Sequence, residues 1–164
     1  MAEYLWRRGA EVRSQSVLTL SGGLAAPNEP SPPHALAVMA DRGIDMSKHR
    51  SSTLSAAMVA NADLVLGMTG RHVREAAVLD LSHSTKIFTL VEFGRLSAAA
   101  GPRVGETVPD YVARLGRTRS IGQLGSGGKI DDIGDPYKRR KSLYRKAAVA
   151  IEAEVEVILD HLYP

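Results

Sequence analysis

The chain has no cysteine in its 164 residues. Disulfides, thiolate metal sites and a cysteine nucleophile are therefore excluded from these residues. Aromatic residues are scarce at 5%, so any core must be built mainly from Leu, Val, Ile and Ala. No apolar run approaches the roughly 20 residues that a membrane helix needs. The opening MAEYLWRR carries Glu3 and two arginines where a secretory leader would have its apolar stretch. A cytoplasmic location with no membrane partner is the default expectation. Charge of one sign barely dominates: 21 Lys and Arg against 18 Asp and Glu leave +3, a weak bias toward anionic partners. The five histidines, His34, His49, His72, His83 and His161, show no metal-ligand spacing with carboxylates, so no metal and no cofactor is expected.

What is present fits one globular domain spanning 1–164, with 44% hydrophobic and 24% charged residues. MAEYLWRRGAEV has the apolar stripe of an amphipathic helix, but no turn, strand or capping residue precedes it. SQSVLTLSGG (14–23) alternates and ends in two glycines, predicting a strand over 16–20 that runs into a loop. SPPHALAVMADRG (31–43) predicts a helix with a Ser31 cap, proline in the first turn and a closing Gly43. A weaker helix is predicted over 52–62. ADLVLGM (62–68) and KIFTLVEF (86–93) are continuous apolar runs, the pattern of strands buried on both faces. A helix is predicted between them over 69–82. A connection with seven glycines follows at 101–129, predicted to be flexible apart from a short helix near Asp110–Leu115. Leu143, Ala147, Ile151, Val155, Ile158 and Leu162 then mark one face of a long closing helix. Strands separated by helices predict an α/β three-layer sandwich with a parallel sheet. Three strands make a poor core for such a sheet, and one strand is missing from the count.

The most pointed local feature is DDIGDPYKRR (131–140). Pro136 locks its own φ and biases Asp135 toward extended geometry. A carboxyl held this way beside Tyr137 and a basic run has the makings of a general acid, although Asp-Pro is also a common plain turn. KRRKSLYRK (138–146) carries six positive charges in nine residues, and a solvated helix flank is its simplest account. With only Tyr137 and Tyr144 interleaved, the run lacks the pattern of a nucleic-acid surface, and no nucleic-acid partner is expected. GQLGSGGK (122–129) fails the spacing of a phosphate-binding loop, with Gln123 where glycine and Ile130 where Ser or Thr should stand.

Taken in order, these segments resemble the low-molecular-weight protein tyrosine phosphatase family. MAEYLWRR is similar to the helix start that follows the family's catalytic loop, C-x-G-N-x-C-R-S-P-x-A-E. LTLSGG resembles its strand ending in Ser-Ala-Gly or a similar triplet, and RGIDMSKHRS its H/R-G-I-x-x-x-x-H segment. ADLVLGMTGRHVREA, KIFTLVEF and DIGDPY follow as the next strand and helix, a further strand and the Asp-Pro loop. The resemblance implies Asp135 as general acid, Tyr137 as an aromatic wall for the substrate, and Glu3, Ser21 and His49 as residues supporting the phosphate loop. It implies a phosphotyrosine protein or small aryl phosphate as partner, hydrolysed through a phosphocysteine intermediate. The sequence departs from the pattern at Lys138, which replaces a second tyrosine. It also implies that the first, central strand and the C-x5-R loop belong upstream of Met1, so an N-terminally truncated, inactive chain is expected. The alternative is a non-catalytic relative that binds phosphoproteins or other partners through Asp135, Tyr137 and 138–146. An arsenate reductase on the same fold is a weaker alternative, because those enzymes relay oxidation through further cysteines.

Overall fold

The computed structural model describes residues 1–23, 27–119, 124 and 130–164. Much of the glycine-rich 122–129 stretch therefore lies outside the described residues. Helix α1 spans Ala2–Val12, α2 Pro33–Ala40, α3 Ala56–Asn61, α4 Gly70–Leu79, α5 Leu90–Ala100, α6 Val108–Gly116 and α7 Lys141–Leu162. Strands β1 (Val65–Gly67) and β2 (Ile87–Thr89) pair in parallel, with Val65 opposite Ile87 and Gly67 opposite Thr89. A 3₁₀ segment, Leu81–Lys86, leads into β2.

The alternation of a strand sorts the layers. Ile87 joins Val59, Val73, Ala76 and Ala77 beneath α3 and α4. Its neighbour Phe88 points to the opposite face and the main core, with Leu5, Phe93, Ile151, Val155 and Ile158 from α1, α5 and α7. Two helical layers thus enclose a short parallel sheet. Phe88 and Phe93 meet edge to face at 4.9 Å, a favourable aromatic geometry.

Several expectations change. Residues 16–20 form no ladder strand; the segment has one isolated parallel bridge, Gly23 to Thr53. Leu18 is 90% exposed and Leu20 67%, because no strand among the described residues lies beside them. β1 is half-buried rather than covered on both faces, since it pairs on one edge alone. The run 86–93 is strand only as far as Thr89. There the Thr89 hydroxyl accepts from the Glu92 N–H at 3.0 Å, and a Glu92 oxygen accepts from the Thr89 N–H at 3.3 Å. This capping box starts α5. Helix α2 begins after Pro32 with no side-chain cap, so Ser31 does not cap it. Gly43 closes it at φ +71 as expected. On α7, Tyr144 and Leu159 are buried while Leu143 is 37% exposed, which rotates the predicted stripe slightly. The short helix near 110–115 is present as α6. Among the described residues, no helix is long and apolar enough to cross a membrane.

Candidate active site

Glu3 lies in the first turn of α1, where a carboxylate complements the helix dipole. Each of its oxygens has a partner. Oε1 accepts from Arg7 Nη2 at 2.6 Å, and Oε2 accepts from the Ser21 hydroxyl at 2.5 Å. Arg7 extends the cluster: its Nε donates to Thr19 Oγ1 at 3.2 Å, and its guanidinium lies 5.0 Å over the Tyr4 ring. His49 meets that ring edge-on at 5.7 Å. Burial lowers the His49 pKa below its usual value and outweighs the opposing pull of Glu3. Glu3, Ser21 and His49, three of the five predicted residues, thus gather at the start of α1. Arg7, Thr19 and Tyr4 link them, and sequence reasoning missed all three. The Glu3–Arg7 spacing of four on a helix is the signal that marks Arg7.

The Asp-Pro loop is pinned on its N-terminal side to the end of β1 and the start of α4. The Ile133 N–H donates to the Met68 carbonyl at 2.7 Å, just past β1, and Asp132 Oδ1 accepts from the Gly70 N–H at 2.7 Å. Buried Asp131 pairs with Arg95 at 3.4 Å. Asp135 is exposed, and its Oδ1 accepts from the Tyr137 N–H at 2.9 Å. That side-chain turn sets the direction of Tyr137, which is 58% exposed. Lys138, with φ +57, holds its ammonium 5.4 Å from the Tyr137 ring.

Tyr144 joins the two halves. It packs with Ala35, Val38 and Ala148, and Met1 packs against the same group. Burial raises its phenol pKa; the Lys138 N–H, donating to the hydroxyl, acts against this, and the charge of Asp135 adds to it. Tyr144 thus takes the Lys138 N–H of the Asp-Pro loop at its hydroxyl and belongs to the group against which Met1, at the start of α1, packs. Among the described residues, no group of three His, Asp or Glu side chains is placed to hold a metal. A cavity of about 560 Å³ lies elsewhere, between α2 and the segment 43–47.

A family model described as "Low molecular weight phosphotyrosine protein phosphatase" matches residues 1–106. The chain belongs to that family. The matched residues include Glu3, Ser21 and His49 but stop short of Asp135 and Tyr137. Among curated relatives, the probable low molecular weight protein-tyrosine-phosphatase EpsP of Ralstonia solanacearum is 38% identical over 95 residues, covering 56% of this chain and 61% of the relative. The protein-arginine-phosphatase of Bacillus subtilis is 36% identical over 94 residues, covering 57% and 62%. The chain thus spans about three fifths of the length of these relatives. Solved structures extend the likeness almost end to end. The low molecular weight protein tyrosine phosphatase of T. tengcongensis matches with TM-score 0.71 at 25% identity, covering 98% of this chain and 88% of that one. A cysteine-to-serine mutant of the YwlE arginine phosphatase, with a phosphorylated active-site serine, matches with TM-score 0.70 at 25% identity, covering 96% and 82%.

Proposed function

We propose that this chain is the scaffold of a protein phosphatase acting on phosphotyrosine or aryl phosphate monoesters, and that these 164 residues alone do not turn over. Asp135 is the general acid, Tyr137 the wall beside the aryl group, and Glu3, Ser21 and His49 the supports of a phosphate-binding loop. The meeting of Glu3, Ser21 and His49 at the start of α1, with Met1 packed against the Tyr144 group and Tyr144 bonded to the loop residue Lys138, carries this reading. A helix N-terminus carries a partial positive charge and favours phosphate.

In the proposed reaction a thiolate attacks phosphorus and the ester P–O bond breaks. The departing phenolate takes the Asp135 proton. Asp135 then removes a proton from water as the water oxygen attacks the phosphocysteine, which releases thiolate and inorganic phosphate. The chain holds the acid but no cysteine. An acid alone supplies about 10²–10⁴-fold, against enhancements of up to about 10²¹ for phosphate-monoester hydrolysis. The phosphorylated side chain is a protein tyrosine or arginine in the relatives' names; the exposed face of Tyr137 favours the aromatic one.

The test uses p-nitrophenyl phosphate. The chain and its Asp135→Asn variant should both match the buffer blank. A chimera carrying a family strand and C-x5-R loop ahead of Met1 should hydrolyse it and lose about 10²–10⁴-fold on Asp135→Asn. A chimera indifferent to Asp135 would remove the acid role, and turnover by the unmodified chain would remove the inactivity. The absence of cysteine favours a second reading, a non-catalytic phosphoprotein binder, in which a phosphotyrosine peptide binds the chain without being hydrolysed.

A further inference from the structure

Residues 136–151 contain six cations and no carboxylate. Among the described residues, the acid that forms ion pairs with this group is Asp41, which lies 3.1 Å from Lys141 and 4.0 Å from Arg145. Those two cations are one helical turn apart and share it. Lys146 is about 100° further round the helix from Arg145 and lies outside that arrangement. Arg139, Arg140 and Lys146 are exposed and have no ion-pair partner among the described residues. Lys138 stacks on Tyr137 instead of pairing with an acid.

Helix α7 begins there with Arg140 at its cap position, no side-chain cap and no acidic residue in the first turn. Cations at that end oppose the helix dipole, so the crowding works against the helix that carries it. An anionic partner would relieve both repulsions at once. The ridge begins immediately after Tyr137, so a chain with one side chain against Tyr137 would lay its neighbouring residues across Arg139 and Arg140.

We propose that Lys138, Arg139, Arg140 and Lys146 form a docking ridge for the acidic residues flanking the phosphorylated side chain of a protein substrate. The proposal rests on the phosphoryl-site reading given above. A polypeptide fits better than nucleic acid, because single-stranded nucleic acids are held by several stacking aromatics and Tyr137 is the one exposed aromatic among the large exposed side chains described.

Fluorescence anisotropy with a fluorescein-labelled peptide tests the proposal. The peptide carries three glutamates on each side of one tyrosine, and is used with and without phosphate on that tyrosine. The chain should bind both forms, more weakly as salt rises from about 0.05 to 0.3 M. Arg139→Glu with Arg140→Glu should weaken binding of both forms at least tenfold. Arg139→Ala with Arg140→Ala should weaken it less, and Arg117→Glu, a reversal at the exposed end of α6, should leave it unchanged. A circular-dichroism spectrum of each variant that matches the parent rules out unfolding. If the unphosphorylated peptide fails to bind, if ridge reversal leaves its affinity intact, or if polyuridylate binds more tightly than the acidic peptide, the proposal falls. The phosphoryl-site reading falls separately, by a chimera indifferent to Asp135, and that outcome would leave the ridge standing as an acidic-peptide surface.

Discussion

Arg119 puts a full charge inside the protein, with its side chain 7% exposed. Its Nη1 donates to both Glu92 oxygens at 3.1 Å, its Nη2 donates to the Ser84 carbonyl at 3.0 Å and to the Ile87 carbonyl, and its plane lies 3.9 Å over the Phe88 ring. Burial lowers its pKa and Glu92 opposes the change. Arg119→Met would strand the Glu92 carboxylate, an uncompensated buried charge that costs about 3–5 kcal/mol. For a domain of this size that is a fall in melting temperature of roughly 6–20 °C. Adding Glu92→Gln should recover part of the loss, which a thermal double-mutant cycle measures. His49, its pKa also lowered by burial, gives the molecule a pH response. Its folded pKa is depressed, so the unfolded chain binds the extra proton. Its contribution is therefore complete above the ordinary value of 6.5 and is lost as pH falls below it. Urea midpoints should drop between pH 7.5 and 5.5 more steeply in the parent than in His49→Phe, which keeps a ring against Tyr4 but cannot titrate. An equal slope in both proteins would mean that His49 is not the group responsible. At this scale the sequence was partly legible. Pro136 marks Asp135, and the resemblance marks Glu3, Ser21 and His49, but Thr19 and Tyr4 enter through contacts between distant segments that no local pattern encodes.

Elements were legible where their ends carry their own chemistry. Ser55 and Thr69 each accept from the N–H three residues on, of Met58 and His72, and both helices lie within the predicted spans. Helix α5 was missed because its apolar residues continue those of β2. Yet the box from Thr89 to Glu92 was in the sequence, and it overrides the apolar pattern because it satisfies two orphan groups at the helix start. The strand expected over 16–20 failed for the converse reason: alternation states which face is apolar, not whether a neighbour exists to pair with. One junction depends on a single missing side chain. Gly116, at the end of α6, lies so close to the Thr85 carbonyl that an added Cβ would collide with its oxygen. That oxygen is backbone and cannot rotate away. Gly116→Ala should cost about 1–3 kcal/mol, the usual penalty of overpacking, and should also loosen Arg119 three residues on. Chemical denaturation measures the first effect, and faster amide exchange around Ile87 reports the second.

At the scale of the whole molecule the sheet is its thinnest part. Two three-residue strands hold the layers together, whereas α7 alone contributes Ala147, Ile151, Val155, Ile158, Leu159 and Leu162 to the main core. One edge of β1 is paired with β2, and beyond its far end the Met68 carbonyl takes the Ile133 N–H. The rest of its outer edge has no ladder partner among the described residues. An unpaired edge is a template for another strand. Leu18 and Leu20, at 90% and 67% exposure, add the apolar side chains that such pairing would bury. Self-association at high concentration follows from these two features together, since backbone groups and apolar surface are both open to a second copy. Leu18→Lys with Leu20→Lys should reduce it by charging the surface without removing a core contact. Surface changes of this kind usually alter stability by within about 0.5 kcal/mol. Sedimentation velocity across a concentration series would show the parent growing in average mass while the double variant stays monomeric at an unchanged urea midpoint. If the variant instead unfolds more easily, Leu18 and Leu20 are buried in solution, and the segment 15–22 packs as a strand after all. Slow amide exchange across 15–22 in the parent would give the same answer independently.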